Sequence, residues 1–145
     1  MNEMLTNHHF LVGNYSDAAE EIENLQKHKN DNRLIKKLIV CYTQLGKIDE
    51  AFSLFHSLIK EDINTIIDTG ISEEYCPCPE LIPKVERKEI TYKNNYDRDL
   101  VLGMLWLYCD PKTSIKYFSN VLSNIEYDNR INEVIKIIKA QINDH

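Results

Sequence analysis

No run of 18 or more apolar residues occurs in this chain of 145, so no helix of membrane-spanning length is expected. The first residues, Met1-Asn-Glu-Met-Leu-Thr-Asn7, have neither a basic start nor an apolar centre, and no secretory leader is expected there. Positive charge is in deficit: 17 Lys and Arg stand against 23 Asp and Glu, a net charge of −6. Phosphate backbones are bound by basic stripes, so this balance argues against a nucleic-acid platform and mainly favours solubility. Catalytic signatures are missing as well. The chain has no glycine-rich phosphate loop, no His-Glu-x-x-His and no serine nucleophile elbow. These absences lead to the expectation of a cytoplasmic, non-enzymatic protein that uses no cofactor, nucleic acid or membrane.

What is present is a period. Gly13-Asn-Tyr-Ser-Asp-Ala18 returns in degraded form as Gly46-Lys-Ile-Asp-Glu-Ala51, 33 residues later. In that register Gly13/Gly46, Ala18/Ala51 and Leu25/Leu58 are identical, and Ile22/Phe55 match in kind. Each position has a task. The glycine ends one helix in a left-handed residue. The alanine lets two helices approach closely, and the large apolar residues after it share one helix face. A weaker third copy, Cys109-Asp-Pro-Lys-Thr-Ser-Ile-Lys-Tyr-Phe-Ser-Asn-Val121, sets Ser114 over Ala51, Phe118 over Phe55 and Val121 over Leu58. Asp110-Pro111 supplies an N-cap and a proline at the first helical position.

Small, large and apolar residues at these spacings resemble the tetratricopeptide repeat (TPR) family, whose unit is a helix–turn–helix of about 34 residues. The resemblance implies an all-α, right-handed superhelical solenoid of three helix–turn–helix repeats plus a C-terminal capping helix. The repeats fall at about residues 1–30, 31–62 and 97–127, with an insert at 63–96 and the cap at 128–143, all in one domain. Helices are expected near 2–12, 16–29, 31–45, 48–61, 97–109, 111–125 and 129–143. The last, with Ile131, Val134, Ile135, Ile138 and Ile142 on one stripe, reads as a cap over the open end of the stack, or as a dimer seam. Monomer and homodimer therefore both remain open.

Gly46 to Cys109 spans nearly two periods, which is what places an insert between repeats two and three. It carries Cys76-Pro-Cys-Pro79 and Pro83, and prolines so close together oppose a regular helix there. Glu80 to Lys88 is expected to form a short helical turn and Glu89 to Tyr92 an extended piece. Cys76 and Cys78 are candidates for a soft metal or a redox pair, against an incidental role. Cys41 and Cys109, on first helices, read as small buried hydrophobes, and a reducing cytoplasm disfavours a lasting disulfide.

TPR proteins bind peptides along the concave face lined by first helices. Mapped onto this chain, the resemblance assigns that groove to Asn7 and Phe10 in repeat one, to Arg33, Lys36, Lys37, Val40, Thr43 and Gln44 in repeat two, and to Asp99, Gly103 and Trp106 in repeat three. Phe10 and Trp106 read as aromatic anchors, although Trp106 also fits a core position against the insert. Arg33, Lys36 and Lys37 form the concentrated basic patch, either a solvated face or a site for an acidic segment or terminal carboxylate. The expected function is non-catalytic binding of a protein or peptide. The alternatives are a TPR-type secretion chaperone and a metal- or redox-linked protein using the Cys76-Pro-Cys78 loop.

Overall fold

The computed structural model describes residues 14–27, 31–69, 77, 80–94, 96–124 and 129–143. The expected first helix, with Asn7 and Phe10, lies outside them, as do Cys76 and Cys78. Within them the chain is all-helical, and no helix is long and apolar enough to cross a membrane.

Eight helices follow one another: α1 (Tyr15–Gln26), α2 (Asn32–Gln44), α3 (Ile48–Asp62), α4 (Asn64–Ile67), α5 (Leu81–Glu86), α6 (Asp97–Trp106), α7 (Pro111–Asn124) and α8 (Asn129–Asn143). Their ends have local causes. The Asn14 side chain accepts from the Asp17 amide, and Asp31 accepts from the Arg33 amide at 2.9 Å, which caps α1 and α2. Gly46, at φ 78°, stops α2, and the Lys47 amide reaches back to the Tyr42 carbonyl at 2.9 Å to satisfy one of the orphaned acceptors. Pro111 opens α7 as expected, with the Asp110 carbonyl accepting from the Ser114 amide.

The short helical turn expected between Glu80 and Lys88 is present in the insert. Leu81–Glu86 is a helix that contains Pro83, because a proline in the first turn gives up an amide that has no intrahelical partner there. Residues 89 to 92 form no strand. A further short helix, α4, follows α3 after the single residue Ile63.

Ala18, Ala51 and Ser114, the small residues of the three registers, are each 0% exposed, and so are Ile22, Phe55 and Phe118. Phe52, Phe55 and Phe118 form an aromatic cluster between α3 and α7, with ring centroids 5.7 to 6.5 Å apart. Such tilted and offset contacts add to the burial of the rings. α3 packs on α2, α4, α6 and α8, so its apolar face is the common wall of the core.

α8 does more than close the end of the stack. It lies on α7 and also along α3. Arg130 places its guanidinium 5.0 Å from the Phe52 ring and donates to Ser53 Oγ at 3.3 Å, while Gln141 Nε2 donates to Asn64 Oδ1 at 3.0 Å. Glu133 sits between Lys60 Nζ, at 3.4 Å, and His56 Nε2, at 3.3 Å. Desolvation pushes the Glu133 pKa up, but the hydrogen bonds and positive charge of Lys60 and His56 outweigh it and bring it below the ordinary carboxylate value.

Two outcomes are expected. Phe55→Ala empties a large core site and lowers stability by about 3–5 kcal/mol, and Ala51→Leu overpacks the same wall at a cost of about 1–3 kcal/mol. Urea midpoints measure both, and unchanged midpoints would place these residues outside the core. For Glu133 the folded pKa is depressed, so its contribution is present above the unfolded value and lost as pH falls through the folded one. The difference in thermal midpoint between the native protein and Glu133→Gln therefore shrinks as pH drops below about 4. A difference independent of pH would show that the carboxylate charge does not hold α8.

Candidate binding cleft

The face that the period assigns to a groove is largely closed by the chain itself. Lys36 is 4% exposed, and its ammonium donates to the Thr65 carbonyl at 2.8 Å and to Thr69 Oγ1 at 2.9 Å. It therefore clamps α4 and the residues after it onto α2 rather than facing a partner. Its own carbonyl accepts from the Tyr108 hydroxyl at 2.5 Å, which ties the third hairpin to the same spot. Lys37 is buried at 7% exposure. Of the basic trio only Arg33 is exposed, and it pairs with Asp31 at 3.2 Å. The expected basic patch is thus reduced to Arg33 at the surface, with Lys36 held by the insert and Lys37 buried.

The other expected groove residues divide in the same manner. Val40 and Thr43 are fully buried, with Thr43 Oγ1 donating to the Val40 carbonyl, and Gln44 Nε2 reaches Thr43 Oγ1 at 3.1 Å. Gly103 is a point of close approach between α6 and α7. A Cβ there would come within 2.9 Å of the Phe118 ring, and Ser114 Oγ donates to the Gly103 carbonyl at 2.5 Å. Asp99 is half-buried. Trp106 is also half-buried and donates through Nε1 to Glu86 Oε2 at 3.3 Å, an oxygen that also accepts from the Tyr117 hydroxyl at 2.8 Å. Burial, followed by the hydrogen bond and charge of Glu86, pushes the Tyr117 pKa up to about 12. Trp106 thus joins the insert helix α5 to α6 and α7, which is the core-type reading of that residue.

The cysteines also divide. Cys41 is free and fully buried, and burial pushes its thiol pKa up to about 12, so it stays protonated and inert. Cys109 is disulfide-bonded, which corrects both its reading as a simple buried hydrophobe and the expectation that no lasting disulfide forms. Among the described residues no cluster of three or more His, Cys, Asp or Glu side chains could hold a metal ion.

An open concavity lies elsewhere. A cleft of about 420 Å³ runs between α2 and α3, lined by Leu38, Tyr42, Asp49, Glu50, Ser53 and Leu54. Leu38 and Tyr42 are four apart on α2, and the pairs Asp49/Ser53 and Glu50/Leu54 are four apart on α3, so each helix presents one face to it. The Tyr42 hydroxyl donates to Glu23 Oε2 from α1. Its pKa is raised, first by burial, then by that hydrogen bond and by the negative charges of Glu23 and Glu50. Glu23 and Glu50 thus bring negative charge near the Tyr42 hydroxyl, and the Lys47 ammonium lies over the Tyr42 ring. The groove expected from the sequence, with Arg33, Lys36, Lys37, Val40, Thr43 and Gln44 on α2, does not include this cleft. The signal available was the helical spacing that sets two carboxylates of α3 beside Ser53 and Leu54.

No protein-family model, curated protein or solved structure matches this chain.

Lys36→Met keeps the aliphatic stem but leaves the Thr65 carbonyl and Thr69 hydroxyl without their charged donor. It is expected to lower stability by about 1–3 kcal/mol and to speed amide exchange in α4. Wild-type stability and exchange in the variant would return Lys36 to the solvent-facing role expected from the repeat.

Proposed function

We propose that this chain is a non-catalytic protein-interaction module, a TPR-like stack of helical pairs that holds a segment of another protein in the cleft between α2 and α3. The single observation that carries the reading is the cleft itself. Its volume of about 420 Å³ falls within the ~300–1,000 Å³ of pockets that bind ligands, and apolar Leu38, Tyr42 and Leu54 alternate with polar groups along it. Supporting the TPR-like part are the buried small residues at 18, 51 and 114 and the buried large residues four positions after each. The partner binds as a peptide segment or folded surface, in the cytoplasm, and no cofactor takes part. The acidic-segment partner suggested by Arg33, Lys36 and Lys37 loses its support once two of the three basic residues are buried.

Ser53 is exposed at the cleft, so Ser53→Trp fills the space without entering the core. A partner captured from the native host by the wild-type chain should be lost with Ser53→Trp while the helical circular dichroism stays unchanged. The urea midpoint should shift no more than in Ser53→Ala, which loses the same Arg130 hydrogen bond. Retention of the same partner by Ser53→Trp would remove the cleft from the binding surface.

A further inference from the structure

We infer that the α2–α3 cleft takes a cationic amphipathic segment, one whose apolar side chains enter the cleft while its Lys or Arg side chains meet the carboxylates at the rim. The inference rests on the interaction reading above and adds the chemistry of the partner.

The apolar part of the surface is longer than the cleft. Tyr42 and Leu45 follow the buried Leu38 at i+4 and i+7, and Leu45 is the exposed large hydrophobic among the described residues, at 37%. The accessible part, half-buried Tyr42 and exposed Leu45, covers about one turn at the C-terminal end of α2. Leu54 faces it from α3.

The rim supplies the charge. Asp49 and Glu50 line the cleft, are exposed, and make no ion pair among the described residues. Both sit in the first turn of α3, where carboxylates are favoured by the helix dipole, so their presence alone would say little. Their position opposite an apolar strip is what makes them a recognition rim. Glu23 adds a third carboxylate at the Tyr42 hydroxyl. Two cations of the chain stand at the ends of the cleft, and each faces an aromatic ring. Lys47 Nζ lies 5.3 Å from the centre of the Tyr42 ring, and Arg130 lies over Phe52 while donating to Ser53. These contacts show the chain's own cations settling at this surface beside its aromatic rings. They also leave Asp49 and Glu50 as the open counter-charges. An anionic segment would meet three carboxylates at close range, so charge complementarity selects a cationic one.

The test uses two fluorescein-labelled peptides of about 14 residues with leucines at i, i+3, i+4 and i+7. One carries lysine and the other glutamate at the remaining positions, and anisotropy reads binding to the full chain. The lysine peptide should bind at least tenfold more tightly than the glutamate peptide, with affinity falling as salt rises from about 50 to about 300 mM. Asp49→Lys with Glu50→Lys should abolish that preference. The same charge change at exposed Glu61 and Asp68, placed away from the cleft lining, should leave it in place and so separates local recognition from the attraction of an acidic protein for any cation. Equal binding of both peptides, lost in Ser53→Trp, would overturn the cationic partner while leaving the cleft as a binding site. A lysine preference that persists in the Asp49/Glu50 variant, or is lost equally in the Glu61/Asp68 variant, would overturn it as well. Binding of either peptide that is indifferent to Ser53→Trp would overturn the interaction reading of the cleft itself.

Discussion

The close approach of helices to α3 is the constraint on which the rest of the structure depends. Ala51 is fully buried on α3 beside Phe52 and Phe55, whose rings reach the Phe118 ring of α7. A larger residue at that position would have to displace packed side chains, because a protein interior has little free volume to absorb it. Gly103 and Ser114 make the equivalent accommodation between α6 and α7. There the Phe118 ring occupies the space that a side chain on Gly103 would need, and the Ser114 hydroxyl bonds to the Gly103 carbonyl. The aromatic cluster thus joins the second and third helical pairs across the insert that separates them in sequence.

A buried ammonium does the second piece of long-range work. Lys36 is held among backbone and hydroxyl acceptors of the insert, and Tyr108 bonds to its carbonyl from the opposite end of the chain. Hydrogen bonds from a charged donor are stronger than neutral ones, and stripping a buried cation of its acceptors is costly. The arrangement therefore favours one seating of the insert over alternatives that would leave the charge unsatisfied. It also has a functional consequence. The face that first helices offer to peptides in a simple repeat stack is here used for internal contacts, and the open concavity lies between α2 and α3 instead.

α8 gives the same lesson at the other end. Its apolar stripe is the pattern of a cap, and Ile131, Val134, Ile135 and Ile138 are indeed buried. Its polar side chains, however, reach α3 through Arg130, Glu133 and Gln141. The result is a chain in which the last helix touches the second helical pair as well as the third. The exposed carboxylates of α3's first turn, Asp49 and Glu50, remain outside these contacts.

Much of the local structure was legible in the residues. Gly46, Asp110-Pro111 and the 33-residue spacing located helix ends to within a few residues, and the small positions Ala18, Ala51 and Ser114 foretold where helices come together. These features are local or periodic, so a helix carries them wherever it is placed. The short helix around Pro83 was also expected, and it accommodates the proline because it begins only two residues before it and a proline is harmless in a first turn. The groove was a different kind of question. Lys36, Lys37, Val40 and Thr43 are all buried, and nothing in their spacing records that a segment some 30 residues further on folds onto Lys36. By itself the sequence determined that the chain is helical and which faces of its helices are apolar, because side-chain period acts residue by residue. Only the tertiary structure decided which of those faces stays exposed, because that depends on where the insert and α8 gain most from docking.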